Sequence, residues 1–238
     1  MTARQEVKTV LVHGFGTSAR LWRRVLEGAP DALAVDLMGF GAAAGQGRAG
    51  QTAEDMADAL ARELLAFGVR GRLVAHSMGG KVALLAAARH PEQVEELLLV
   101  APSPPTPEPM DDEARTALRE AHGDRAALER QYRDILLKSI PNQDFEDLVR
   151  DGLRADHDAW VAWPDVGSRE DVSGAVASLS LPITVLYSGE DPSMKPETVE
   201  GEVLRRFAQA RARRISGSGH LIPLEDPQTV LDALKEMT

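Results

Sequence analysis

Brief, mostly apolar runs, leucine-rich or β-branched, recur along the chain at 7–12, 32–36, 72–75, 94–101 and 182–188, and a brief arginine-bearing segment at 211–216 is placed as a sixth strand. Longer stretches with apolar positions three and four apart separate them. A strand-length run followed by a helical pattern, repeated, predicts parallel strands covered on both faces by crossover helices. In one crossover, Thr52 and Asp55 stand at capping-box spacing, Met56, Leu60, Leu64 and Phe67 keep helical periodicity, and Gly68 ends the pattern. The closing helix reads as Asp226 at the N-cap, Pro227 at the first position, and Val230, Leu231 and Leu234 facing inward.

The alternation breaks after the fourth run. Five prolines crowd 102–109, and 111–163 then reads as several short helices anchored by Leu118, Leu128, Tyr132, Leu136, Leu148 and Leu153. Such helices can be ordinary surface elements, but an insertion of this length in a doubly wound fold more often covers a site. The expected fold is therefore α/β: a mostly parallel sheet of about six strands with helices on both faces and a helical lid insertion. The expected core is 1–101 and 169–238, with the lid at 102–168 inserted in the same domain. The glycine- and alanine-rich stretch 39–50 reads as a flexible loop.

A chain of 238 residues is enough for one sizeable core. Its net charge of −10, from 27 Lys and Arg against 37 Asp and Glu, gives no field attracting phosphate backbones, so nucleic acid is not an expected partner. The local cluster Arg205, Arg206, Arg211, Arg213 and Arg214 reads as a solvated face rather than an anion grip. The absence of cysteine removes disulfides and thiol nucleophiles and permits a reducing compartment. Residues 1–8 are polar, and no apolar run approaches a membrane span, so the expectation is a cytoplasmic protein with no membrane partner, monomeric or homodimeric.

The sharpest chemical signal is Leu73-Val74-Ala75-His76-Ser77-Met78-Gly79-Gly80, an apolar strand entering a small-residue helix through a serine. A serine on such a turn holds a strained backbone, so the residues two positions away must be small, as Ala75 and Gly79 are. A hydroxyl needs a base to remove its proton and a further group to hold that base. Of six histidines, His13 precedes the early glycine loop and His76 flanks the serine, while His90, His122 and His157, in or at the ends of helical segments, read as solvated or structural. His220 lies in the tight loop Gly217-Ser218-Gly219-His220 after the last strand, where a sheet delivers side chains to its carboxyl edge. Asp191 follows the fifth strand in Ser188-Gly189-Glu190-Asp191 and is the expected acid, with Glu190 as the alternative. The turn His13-Gly14-Phe15-Gly16 closes the first strand; it lacks the lysine and hydroxyl pair of a phosphate loop.

These motifs, in the order Ser, Asp, His, resemble those of the α/β-hydrolase superfamily, its small lidded carboxylesterase-like serine hydrolases in particular. The resemblance spans nearly the whole chain and departs from the pattern at Ala75, where glycine is usual, and at Ser188. It implies backbone amides of Phe15 and Met78 as oxyanion donors, no cofactor or metal, and a small-molecule ester as substrate. The serine at the elbow, rather than aspartate, points away from dehalogenase and epoxide hydrolase chemistry. The expected function is cleavage of carboxylic esters of small to medium size through an acyl-enzyme intermediate. Carbon–carbon bond hydrolysis or perhydrolysis with the same triad, and a non-catalytic ligand-binding protein, are the alternatives. Leu136, Trp160, Trp163 and Ile222 are expected around the substrate, although each would serve as well in the core.

Overall fold

The computed structural model describes residues 7–68 and 70–237, so residues 1–6 of the polar opening lie outside it. In chain order the elements are β1 (Val7–Val12), α1 (Arg23–Leu26), β2 (Leu33–Val35), α2 (Ala53–Ala66), β3 (Arg70–His76), α3 (Met78–Arg89) and β4 (Val94–Val100). Then come α4 (Asp112–Glu120), α5 (Arg125–Ile135), α6 (Asn142–Arg154), α7 (His157–Asp165) and α8 (Ser173–Val176). The chain closes with β5 (Ile183–Ser188), α9 (Pro196–Thr198), β6 (Arg211–Ile215), α10 (Ile222–Glu225) and α11 (Pro227–Lys235).

The six strands form one parallel sheet in the order β2-β1-β3-β4-β5-β6. The chain first steps from β1 to β2 and then crosses back to β3, so the direction of winding reverses between β1 and β3. Right-handed crossovers then place α1 and α11, which pack together, on one face, and α2, α3 and α8 on the other. A crevice opens at the carboxyl ends of β1 and β3. His13–Gly16 and Ser77 are the residues that leave those two ends.

The central strands are buried almost without interruption, as a sheet covered on both faces requires. β3 begins two residues earlier than its apolar run and ends one later, because Arg70 and Gly71 pair with β1 although their side chains give no hydrophobic signal. The capping box at Thr52 and Asp55 is formed. Phe67 does not join the buried face: it follows the last helical residue and is 55% exposed. In α11, Val230 and Ala233 are the buried residues, while Leu231 and Leu234 are half-buried at the margin of that face.

The stretch 39–50 is not a free loop. Asp156, at the start of α7, accepts the amides of Gly45 and Gly47 at 2.8 Å, and its own amide donates to the Gly39 carbonyl. A side chain at Gly39 would run into the Ala159 methyl. The arginine cluster is a solvated face: Arg206, Arg213 and Arg214 pair with Glu202, Glu236 and Glu200 along and beside the edge strand β6. Charge there discourages pairing of that edge with another sheet.

Candidate active site

Ser77 stands between the last residue of β3 and the first of α3, with φ 50° and ψ −122°. A non-glycine residue held there stores on the order of 1–3 kcal/mol of strain. Three hydrogen bonds fix it: the Ser77 amide donates to Val100, and the Ser77 carbonyl accepts from Gly80 and Ser103. The small neighbours have identifiable contacts. A Cβ on Gly79 would lie 2.4 Å from the His13 carbonyl oxygen, and one on Gly14 would lie 2.6 Å from His76 Nδ1 and 3.0 Å from Ser77 Cβ. The turn after β1 and the serine turn after β3 thus leave no room for a side chain at either glycine.

His220 Nε2 is 3.0 Å from Ser77 Oγ, and His220 Nδ1 is 2.8 Å from Asp191 Oδ2. The carboxylate can only accept, so Nδ1 carries the proton and Nε2 is left as the acceptor for the serine hydroxyl. The other Asp191 oxygen accepts the amides of Ser193 and Met194, both at 2.8 Å. Glu190, the alternative acid, is exposed, and its carboxylate takes the Gly217 amide instead. Burial alone would lower the His220 pKa. The charge and hydrogen bond of Asp191, with the charges of Glu108 and Glu225, outweigh burial and hold it above the ordinary value.

The oxyanion candidates lie beside this dyad. Met78 is the first residue of α3, where an amide has no intrahelical acceptor, and the dipole of α3 points its positive end toward Ser77. Phe15 lies in the turn after β1, its ring 4.5 Å from that of Trp160. That turn is tied to the helical segment: Tyr132 of α5 donates to the Gly16 carbonyl at 2.6 Å, and Ser18 donates to Asp151 of α6.

A cavity of about 240 Å3 contains Ser77, His220 and Phe15 and is walled by Trp160, Trp163 and Tyr132. Two of the four expected pocket residues, Trp160 and Trp163, are therefore in place, three apart on α7. Leu136 and Ile222 are not. Ile135, the last residue of α5, faces the cavity, and the chain turns extended at Leu136, which lines a separate surface groove with Phe145. Leu221 faces the cavity, while Ile222 opens α10 and is fully buried in the core. A wider groove, about 1160 Å3, runs along the β2 edge past Asp36 and Phe67 and does not include Ser77.

Several positioning residues gave no signal in the sequence. Ser188, where the family pattern has glycine, is fully buried; its hydroxyl donates to the Ser218 carbonyl and accepts the Glu190 amide, joining the acid turn to the histidine loop. Glu225 accepts the amides of Gly219, Leu137 and Lys138, and the His220 amide donates to Ile135, so the histidine loop is fastened to the end of α5. His76 Nε2 lies 2.9 Å from the His220 carbonyl, to which it donates; burial drives its pKa well below the ordinary value, keeping the ring neutral. The bonds from Ser188 to Ser218, from Glu225 to Leu137 and Lys138, and from His76 to His220 join residues 30 to 144 positions apart, so spacing could not reveal them.

Comparison with known proteins gives the family. Residues 9–233 match the model of the alpha/beta hydrolase family, and the chain belongs to that family. It is 28% identical over 244 residues to an esterase of Mycobacterium tuberculosis, covering 96% of this chain and 81% of that protein. Among solved structures, an esterase from Exiguobacterium antarcticum superposes with a TM-score of 0.87 at 17% identity, covering 98% of this chain and 92% of that one. A bromoperoxidase from Bacillus anthracis gives the same TM-score and coverage at 15% identity, a likeness of fold alone. Family membership and the esterase relative together support a hydrolase.

Proposed function

We propose that the protein is a serine esterase that cleaves carboxylic esters of small to medium size through an acyl-enzyme, with Ser77, His220 and Asp191 as its triad. The observation that carries this reading is the continuous relay from Asp191 through both nitrogens of His220 to Ser77 Oγ, at 2.8 and 3.0 Å. His220 Nε2 takes the Ser77 proton as Oγ attacks the ester carbonyl. Asp191 keeps the imidazole in the required tautomer and stabilises the imidazolium. The amides of Phe15 and Met78 receive the oxyanion, each contributing about 3 to 4 kcal/mol to the transition state. His220 then protonates the leaving alcohol, and a water repeats the cycle against the acyl-enzyme.

The helical segment that includes α4–α7 serves in this reading as a cap that sets the size of the cavity. A volume of about 240 Å3 is at the low end for ligand sites and favours short acyl and alcohol groups.

The test is hydrolysis of p-nitrophenyl acetate, butyrate and octanoate by the wild type, Ser77→Ala and His220→Ala. The expected result is a fall of about 10³-fold or more in kcat for both variants, with acetate and butyrate preferred over octanoate. Equal rates in all three proteins would refute the triad.

A further inference from the structure

The cavity holds a carboxyl group that the proposed reaction does not use. Glu108 lies in the proline-rich stretch after β4 and lines the same cavity as Ser77 and His220, with only 8% of its surface exposed. Its backbone is fixed from both sides: the amide donates to the Ser168 carbonyl at 2.8 Å, and the carbonyl accepts from Arg115 at 3.1 Å. Of its side chain, the carboxyl has the buried Ser103 hydroxyl beside it as a donor, while Oε1 is enclosed with no hydrogen-bond partner among the described residues.

Apart from Arg115 Nε, the donor nitrogens of the neighbouring cations are engaged elsewhere. Lys81 gives its ammonium to the carbonyls of Thr106, Gly167 and Glu170, and Arg115 holds Pro164, Ser168 and the Glu108 backbone. Burial pushes the Glu108 carboxyl's pKa up, and the Ser103 hydroxyl together with the charges of Lys81, His220 and Arg115 offsets only part of this. A buried carboxyl oxygen without a partner destabilises the fold, and an apolar side chain of similar size would avoid that penalty. Its cost is explained if its partner is a ligand.

The rest of the lining narrows what that ligand is. Phe15, Met110, Leu118, Ile135, Trp160 and Trp163 supply apolar surface, and the exposed Asp134 adds a second carboxyl. Among the described residues no lysine or arginine lines the cavity. A ligand carboxylate would meet two acids, with His220 as the one titratable cation in the described lining, whereas an ammonium or hydroxyl would give Glu108 Oε1 a donor.

We propose that Glu108 is the polar recognition residue of this cavity and that the substrate is an ester bearing a hydrogen-bond donor, cationic or neutral, on its acyl or alcohol arm. This rests on the esterase reading above.

The experiment compares methyl hexanoate with methyl ω-aminohexanoate, methyl ω-hydroxyhexanoate and monomethyl adipate, and butyl acetate with ω-hydroxybutyl acetate, by pH-stat titration. Wild type, Glu108→Gln and Glu108→Leu are assayed side by side. The wild type is expected to favour a donor-bearing ester over its plain counterpart by about ten-fold or more in kcat/KM, and to disfavour the adipate. Glu108→Leu should lose that ratio. Glu108→Gln, which keeps an acceptor oxygen without the charge, should lose the ammonium preference and retain much of the hydroxyl preference. Both variants should melt at or above the wild-type temperature, because they remove an unpaired buried carboxyl. An unchanged ratio in Glu108→Leu, or a wild-type preference for the adipate, would overturn the proposal. If no ester is turned over by the wild type, the esterase reading fails by itself. Calorimetric binding of methyl ω-aminohexanoate to Ser77→Ala and to Ser77→Ala/Glu108→Leu then decides the recognition role: about ten-fold weaker binding by the double variant supports it, and equal or absent binding by both refutes it.

Discussion

Ser77 keeps its left-handed backbone because its neighbours leave no alternative, and the tightest of these contacts is at Gly79. A methyl group there would press on the carbonyl oxygens of His13 and Val12, at 2.4 and 3.0 Å, and neither can retreat without disturbing β1. Gly79→Ala is therefore expected to lower stability by about 1–3 kcal/mol, measured by urea unfolding, and to reduce activity with it. Ser188 offers a second test. Removing its hydroxyl in Ser188→Ala strips a buried carbonyl at Ser218 and an amide at Glu190 of their partner, a loss of about 1–3 kcal/mol. Because the bond joins the acid turn to the histidine loop, kcat should fall more than KM rises. Unchanged stability in this variant would show that the contact is dispensable.

At the scale of elements, the helical segment is bound to the sheet by specific bonds near the chemistry. Lys81, four residues into α3, is fully buried with its ammonium on three carbonyls at 3.0 to 3.2 Å, which tie the two ends of the inserted segment to the helix that follows Ser77. Lys81→Met leaves those carbonyls without a donor. Limited proteolysis should then cut the variant in 102–110 or 166–171 under conditions that leave the wild type intact; the same resistance in both would remove Lys81 from this role. Tyr132 couples α5 to the turn after β1 through Gly16. If that turn supplies an oxyanion amide, Tyr132→Phe should lower kcat by about ten-fold with little change in KM.

These couplings also mark what the sequence makes legible. Strand positions, the serine turn, His220 and Asp191 were readable because local rules set them: apolar runs, small residues beside a strained turn, and side chains delivered to the carboxyl ends of parallel strands. The bonds of Lys81 to Thr106, Glu225 to Leu137 and Tyr132 to Gly16 span 25 to 116 positions in chain number, and no periodicity records such distances. Leu136 and Ile222 each miss the cavity by one residue, because a helix end and a helix start turn the chain there.

For the whole molecule, opposite pKa shifts on neighbouring histidines give pH dependences that separate stability from activity. Burial lowers the pKa of His13 and His76, so their contribution to stability is full above the unfolded value, about 6.5, and is lost as pH falls below it. The His220 pKa is raised, so its contribution is full below the unfolded value and is lost as pH rises through the folded one. Unfolding midpoints in urea should accordingly fall between about pH 6.5 and about pH 5, and His76→Gln should flatten that slope. Activity should fail earlier on acidification, since only neutral His220 can take the Ser77 proton.

The account turns on Ser77 being a nucleophile activated by His220, and the most direct measurement is the rate of covalent labelling by a fluorophosphonate as a function of pH. Rapid stoichiometric labelling of Ser77, with an acid limb centred above the ordinary imidazole value and loss of labelling by about 10³-fold or more in His220→Ala, is the expected result. Slow labelling with no dependence on His220, or labelling that persists in Ser77→Ala, would contradict it.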